Sequence, residues 1–290
     1  MRIGCYSPEL VSLRGSTPSP EESLKALETL FQKCEKYGYQ AMQFNFLSAV
    51  GEEMPDDFPP EVLTHTARLA RAADVQLISV NGTFNMVHPV EADRQDGIRR
   101  FGLMAQAADE LKIPIITLCT GSRSLTGMWS VSPENRTEES YQLLLKTTEA
   151  ILPYAEKYNL TLGVEIEASN VIYTAERAQR YLKDIASPHM GIILDCANLF
   201  YAGTGKVENV RPFMQDAFDR LGDKICLAHG KDIRPGDKPM FANPTEGMVD
   251  YPFFRTLLDS IGYQGPMVLH GFHEEGPMPA AIAKIREIFG

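Results

Sequence analysis

Eight short apolar runs, each followed by a longer amphipathic segment, constrain the fold of this 290-residue chain more than any other feature. The starts of successive runs lie 29 to 46 residues apart, so each interval has room for one helix and two loops. The runs are apolar on both faces, which is typical of parallel strands covered by helices. The eight predicted strands are Arg2–Tyr6, Gln40–Phe46, Gln76–Val80, Ile115–Leu118, Thr161–Ile166, Met190–Asp195, Ile225–His229 and Pro266–His270.

The segments between these strands carry signals for helix ends. Ser19 and Glu22 flank a proline and form a capping-box pattern, and Thr174 is a predicted N-cap. Gly38 and Asn159 stand where helices should end, as C-cap residues do. Two further helices are predicted over Val207–Leu221 and Tyr251–Ile261. Eight strand–helix pairs in series predict an α/β protein with a (β/α)8 barrel, formed as one domain by residues 1–290.

Composition excludes several classes of protein. The net charge of −10 disfavours nucleic acids and anionic membranes as partners. No apolar run approaches the 18 or so residues that a membrane helix needs. The five cysteines are scattered, and the N-terminus enters a strand pattern at once, without a signal peptide. We therefore expect a cytoplasmic protein with reduced thiols that acts on a small molecule; its oligomeric state stays open.

The last four predicted strands each end at a side chain that can bind a metal. These side chains are Glu165, Asp195, His229 and His270. Because the carboxyl ends of barrel strands meet at one mouth, where active sites of such barrels lie, the four should be close together. Carboxylate plus imidazole suits Mn, Fe(II), Co or Zn better than Ca or Cu(I). The sequence thus predicts a divalent-metal site.

Several segments of the second half resemble the sugar phosphate isomerase/epimerase superfamily of xylose isomerase-like TIM barrels. They are Gly163-Val164-Glu165, Ile193-Leu194-Asp195-Cys196-Ala197-Asn198, His229-Gly230-Lys231-Asp232, and Val249-Asp250-Tyr251 leading to Gly262-Tyr263-Gln264-Gly265-Pro266. The resemblance implies one divalent ion (Mn, Zn, Co, Fe or Mg) held by residues at the ends of strands five to eight. It also implies that Glu165 both binds the ion and moves the substrate proton.

His270 departs from the pattern of that superfamily, because a glutamate is usual at this position. Histidine can bind a metal, so His270 is predicted as a ligand and as a catalytic residue, but it cannot act as a base through a coordinated nitrogen. Glu274 and Glu275, just after the strand, are candidates for the missing carboxylate or for partners of the second ring nitrogen of His270, but a solvated face is the favoured interpretation of both.

Four residues near these strand ends are predicted to contact substrate: His88, Glu167, Asn198 and Lys231. Lys231 could instead form a salt bridge with a nearby acid such as Asp232, which is itself a candidate for orienting a ligand.

The predicted function is a metal-dependent isomerase or epimerase of a small keto-sugar or related polyol carbonyl compound, acting through an enediolate. A lyase of the inosose-dehydratase type and a non-catalytic sugar-binding barrel are the alternatives. Gln43 and Asn45, in the second strand, either reach the barrel mouth or form hydrogen bonds inside the barrel.

Overall fold

All eight predicted strands form, and they close into one parallel barrel. The computed structural model describes residues 1–238 and 240–290. Around the barrel the order is β1, β2, β3, β4, β5, β6, β7 and β10, and β10 pairs with β1 to close the ring. The barrel strands are β1 (Ile3–Tyr6), β2 (Ala41–Phe44), β3 (Gln76–Asn81), β4 (Ile115–Cys119), β5 (Thr161–Glu165), β6 (Met190–Asp195), β7 (Ile225–Gly230) and β10 (Met267–Leu269). The predicted (β/α)8 barrel is confirmed.

Eight α-helices surround the barrel in the described residues. They are α1 (Pro20–Tyr37), α2 (Pro60–Ala72), α3 (Glu91–Glu110), α4 (Glu138–Tyr158), α5 (Ala175–Ile185), α6 (Val210–Leu221), α7 (Tyr251–Ser260) and α8 (Met278–Phe289). The capping box of Ser19 and Glu22 forms, and Thr174 caps α5. Gly38 and Asn159 end their helices in the left-handed conformation. None of the described helices combines the length and the apolar character needed to cross a membrane.

The long segment after β7 contains a structure that the sequence pattern does not reveal. Strands β8 (Asp232–Arg234) and β9 (Met240–Ala242) pair antiparallel beside the barrel mouth. Position 239 lies between them and outside the described residues. The predicted helix over 207–221 is also divided, because its first three residues form a 3-10 turn before α6.

An apolar layer fills the lower part of the barrel interior. Its members come from six different strands: Ala41, Ile78, Ile115, Ile193, Leu227 and Val268. Gly163 lies beside this layer, since a Cβ atom there would approach Ile193 Cγ1 to 2.9 Å. Side chains two residues apart on a strand share a face. The residues that follow at the carboxyl ends of these strands therefore point into the barrel, above a dry and closely packed floor.

Candidate metal centre

Four side chains from consecutive strands of the barrel converge at its C-terminal mouth. Glu165, Asp195, His229 and His270 each offer one donor atom, and these four atoms lie within 4.8 Å of one another. Asp195, His229 and His270 each stand two positions after a member of the barrel floor: Ile193, Leu227 and Val268, respectively. Glu165 stands two positions after Gly163, which lies beside the floor. Strand alternation alone thus explains why all four point inward.

His229 has one ring nitrogen that is bonded and one that is not. Its Nε2 lies 2.9 Å from Oε1 of Gln43, and its Nδ1 is buried with no hydrogen-bond partner in the described part of the chain. Nδ1 faces Oε1 of Glu165 at 3.7 Å, which is too long for a hydrogen bond. A buried polar atom without a partner is costly unless a ligand satisfies it. Together with two carboxylates and a second imidazole, this arrangement fits a divalent cation.

Asp195 uses its two oxygens differently. Oδ1 accepts a hydrogen bond from the backbone N–H of Ala197 at 2.9 Å. Oδ2 lies 3.1 Å from Nε2 of His270 and 3.1 Å from Nζ of Lys231. Burial opposes ionisation of Asp195, but the Lys231 ammonium and His270 outweigh it and lower the pKa of the carboxyl. Asp195 is therefore held as a carboxylate, with one oxygen fixed and the other facing the centre.

Lys231 is a buried cation in direct contact with the centre. Only 7% of the residue is exposed, and its Nζ lies 3.8 Å from the ring centre of Phe241, in strand β9. Burial alone would lower the pKa of Lys231, but Asp195, Glu165 and Glu167 raise it above its ordinary value. The side chain is thus a charged ammonium that the hairpin partly covers.

Glu165 is held by an amide on one side and is less restrained on the other. Oε1 accepts a hydrogen bond from Nδ2 of Asn198 at 2.7 Å, while Oε2 has a weak contact with Sγ of Cys119, at 4.0 Å. Burial raises the pKa of Glu165, but His229 and Lys231 more than compensate, so that the pKa lies below its usual value.

Two further polar groups lie beside Glu165. The carboxyl of Glu167 has its pKa raised by burial. Oδ1 of Asn198 is buried without a hydrogen-bond partner among the described residues.

The structure does not bring every predicted residue to the centre. His88 contacts its own loop, since its Nδ1 accepts from the backbone N–H of Val90 and faces Asp93 at 3.4 Å. Asp232 accepts hydrogen bonds from three backbone N–H groups, those of residues 233, 247 and 249, and so organises the loop after β7. Lys231 does form a salt bridge with a nearby acid, as one of its two predicted roles required, and that acid is Asp195.

Glu275 does not contact His270, so this candidate for the missing carboxylate has other partners. Its two oxygens bind Nζ of Lys33 and the hydroxyl of Tyr37, each at 2.5 Å, on helix α1. A different carboxylate stabilises the segment after β10, because Oε1 of Glu9 accepts from the backbone N–H of Gly271 at 2.6 Å. Nothing near Glu9 in the sequence signals this contact, which joins the two ends of the chain.

Comparison with known proteins places this architecture in a family. A family model described as xylose isomerase-like TIM barrel matches residues 31–288. A search of curated proteins gives no significant match. A D-tagatose 3-epimerase-like protein has a similar structure, with a TM-score of 0.76 and 18% identity over 99% of this chain and 97% of that one.

Two further solved structures are similar. One is a 3-keto-D-glucoside 4-epimerase from E. coli, with a TM-score of 0.70 and 16% identity over 99% of this chain and 98% of that one. The other is a xylose isomerase-like TIM barrel protein from Mycobacterium smegmatis in complex with magnesium, with a TM-score of 0.72 and 12% identity over 100% and 96% of the two chains. At such low identity these structures show a shared fold. The match to the family model spans most of the sequence, and the chain belongs to the xylose isomerase-like TIM barrel family.

Proposed function

We propose that this chain is a divalent-metal-dependent isomerase or epimerase of a small keto-sugar or a related polyol carbonyl compound. The observation that carries this proposal is the group of two carboxylates and two imidazoles at the barrel mouth, with a buried, unpartnered Nδ1 on His229. Family membership and the epimerases among the similar structures support the same class of reaction.

Glu165, Asp195, His229 and His270 would hold the ion. When bound, a divalent ion polarises a substrate carbonyl and its neighbouring hydroxyl as a Lewis acid. The mixed oxygen and nitrogen donors suit Mn, Zn, Co, Fe or Mg, and one of the similar structures contains magnesium. Metal analysis of the purified protein distinguishes among these ions.

Glu165 is the proposed base. Asn198 engages its Oε1, which leaves Oε2 as the oxygen that takes the proton from the carbon next to the carbonyl. Because its pKa lies below the usual value, Glu165 is ionised at neutral pH and ready to accept that proton. The substrate then becomes an enediolate. Return of this proton by Glu165 to the neighbouring carbon, with transfer of the hydroxyl proton to the former carbonyl oxygen, gives an isomer. An epimer forms only if a second group donates a proton to the opposite face of the same carbon, while Glu165 keeps the first proton.

Three further side chains are proposed to bind the substrate at the centre. Lys231 has N–H groups beyond the one that contacts Asp195, and they can donate to a substrate oxygen. Oδ1 of Asn198 can accept from a substrate hydroxyl, which would satisfy this otherwise unpartnered atom. Glu167, with its raised pKa, offers a carboxyl group beside Glu165. His88 remains a predicted contact from the loop before α3.

Exchange of the substrate α-proton in deuterated water tests the proposal. Metal-free protein is loaded with each candidate ion and incubated with a panel of keto-sugars, and deuterium incorporation is followed by NMR. We expect metal-dependent exchange with at least one sugar, and a loss of at least about a hundredfold in Glu165→Gln. Glu139→Gln, which makes the same change at an exposed position of α4, is the control and should keep full exchange.

The products distinguish the alternatives. An isomer or epimer supports the proposed function, whereas a product that has lost water identifies the lyase. Sugar binding without any exchange would favour the non-catalytic barrel. Exchange that persists after complete removal of divalent ions would contradict the metal-dependent mechanism.

A further inference from the structure

A hydrogen bond across the barrel interior joins His229 to a glutamine on a strand that is not its neighbour. Gln43 lies on β2 and His229 on β7, and two strands, β1 and β10, separate them around the barrel. Oε1 of Gln43 nevertheless lies 2.9 Å from Nε2 of His229. Both residues are buried, with 7% and 2% exposure, so water does not compete for the contact. The pair is well placed to determine how the imidazole is oriented.

The contact has a consequence for the proton of the ring. A neutral imidazole carries one N–H, and the side-chain oxygen of glutamine can only accept a hydrogen bond. With Oε1 directed at Nε2, the proton must be on Nε2, and Nδ1 then keeps a free lone pair. The Oγ of Ser79 on β3 lies 3.5 Å from the same oxygen, at the outer limit of a hydrogen bond.

The free nitrogen points toward the centre. Nδ1 of His229 faces Oε1 of Glu165 at 3.7 Å, so two electron-rich atoms are directed at each other in a buried site. This arrangement is unfavourable without a positive charge between them, and it is favourable when both bind one cation. The opposite tautomer would place the proton on Nδ1, where it would block the position that a metal needs.

We propose that Gln43 is a positioning residue, which holds His229 with its proton on Nε2 and its Nδ1 free to bind the divalent ion. This inference rests on the metal site of the proposed function. Gln43 itself touches neither metal nor substrate in this scheme. A hydrogen-bond acceptor behind a histidine ligand fixes its tautomer and orientation, and the loss of such partners typically weakens metal binding about 10–100-fold.

The tautomer can be measured without any metal. Long-range ¹⁵N–¹H correlation spectra of the metal-free protein at pH 8, where a free imidazole is neutral, distinguish protonated from unprotonated ring nitrogens. His229→Gln identifies the signals of His229. We expect a proton on Nε2 in the unmodified protein. A proton on Nδ1 would overturn the inference, whatever the protein does with sugars or metals.

Variants at position 43 test the consequence for metal binding. Gln43→Met keeps the length of the side chain and removes the acceptor; we expect Mn²⁺ affinity, measured by chelator competition, to fall about 10–100-fold. Gln43→Glu keeps an acceptor and should stay within about threefold of the unmodified protein. Ser79→Ala is the matched control, because it removes a hydroxyl from the same cluster but leaves the His229 contact.

Melting temperatures show which variants are folded and can be compared. Unchanged Mn²⁺ affinity in a folded Gln43→Met would overturn the inference, and so would an equal loss in folded Gln43→Met and Gln43→Glu. If the unmodified protein has the expected tautomer but binds none of the candidate ions, the metal site of the proposed function fails. In that event Gln43 cannot prepare His229 for a metal either. The tautomer measurement then shows that the missing metal binding is not due to a wrongly oriented His229.

Discussion

At the scale of single residues, Lys231 changes the charge of the centre. It adds a buried positive charge in contact with Asp195, and His270 stands where the resemblance to sugar isomerases leads one to expect a carboxylate. The centre therefore carries less negative charge than two glutamates and an aspartate would provide. Such a centre should bind a dication less tightly, and should favour substrates that bring electron-rich oxygens to Lys231.

Replacing Lys231 by methionine separates these two effects. The substitution removes a repulsive charge beside the ion, so metal affinity should rise by about tenfold, which corresponds to about 1.4 kcal/mol. Sugar turnover should fall by at least about tenfold in kcat/KM, because the proposed contact between Lys231 and the substrate is lost. Lys224→Met makes the same change in an exposed turn at the opposite end of β7 and should leave both quantities unchanged. Weaker metal binding in Lys231→Met would show that the ammonium stabilises the site.

The substitution His270→Glu tests whether His270 acts as a ligand. A carboxylate can replace the imidazole nitrogen at a divalent ion, so the variant should still bind metal. Without metal, a new negative charge would lie close to Oδ2 of Asp195, which is 3.1 Å from the histidine in the unmodified protein. The metal-free variant should therefore be less stable by about 1–3 kcal/mol and gain more stability on metal addition.

Activity of the same variant shows whether His270 also moves protons. Full metal occupancy with α-proton exchange abolished would place His270 among the catalytic residues. Retained exchange would show that a ligand role is sufficient. His270→Ala, which supplies no ligand atom, is the companion variant and should lose metal affinity in either case.

At the scale of secondary structure elements, the sequence predicts the strands and helices whose formation depends on local patterns. The barrel strands are buried on both faces, and the helices have capping residues such as Ser19 and Thr174, so both kinds of element carry recognisable signals. The hairpin of β8 and β9 has three residues in each strand and several exposed side chains, so neither length nor alternation indicates it. Contacts such as that of Gln43 with His229 are non-local, and no local pattern can predict them.

The short turn after β1 is predicted to make stability depend on pH. Glu9 in this turn accepts from the backbone N–H of Gly271. Burial raises its pKa from 4.5 to about 8, although the backbone N–H groups of Gly271 and Phe272, and to a smaller extent Lys231, oppose the shift. The folded protein thus holds this proton more tightly than the unfolded chain does. Its stabilising contribution is complete below about pH 4.5 and is lost as the pH rises through about 8.

Glu9→Gln should remove this dependence, since the amide imitates the neutral carboxyl group and still accepts from Gly271. The free energy of unfolding of the unmodified protein should fall relative to that of the variant between pH 5 and 9, by at most about 5 kcal/mol. Chemical denaturation at a series of pH values measures the difference. Glu139→Gln, at an exposed position, should show the same pH profile as the unmodified protein; an identical profile in Glu9→Gln would contradict the assignment.

For the whole molecule, closure of the barrel turns four distant positions of the chain into one centre. The four candidate ligand positions lie at the carboxyl ends of β5, β6, β7 and β10, which are consecutive around the ring. The sequence predicts this convergence because the carboxyl ends of parallel strands share one rim. It does not predict which loop covers the rim, since Phe241 reaches Lys231 only through the pairing of the hairpin.

A bound ion should therefore stabilise the entire barrel. It would join strands that are far apart in sequence, and it binds the folded chain far better than the unfolded one. At a hundredfold excess of free metal over Kd, the gain is about 2.7 kcal/mol, or a rise in melting temperature of roughly 5 °C for a domain of this size. Scanning calorimetry of metal-free protein, with and without Mn²⁺, measures the shift, and a chelator should reverse it.

Two variants test whether this centre holds the stabilising ion. Asp195→Asn should abolish most of the rise in melting temperature, whereas Asp216→Asn, an identical change on the exposed face of α6, should retain it. Equal shifts in the two variants would locate the stabilising ion outside this centre.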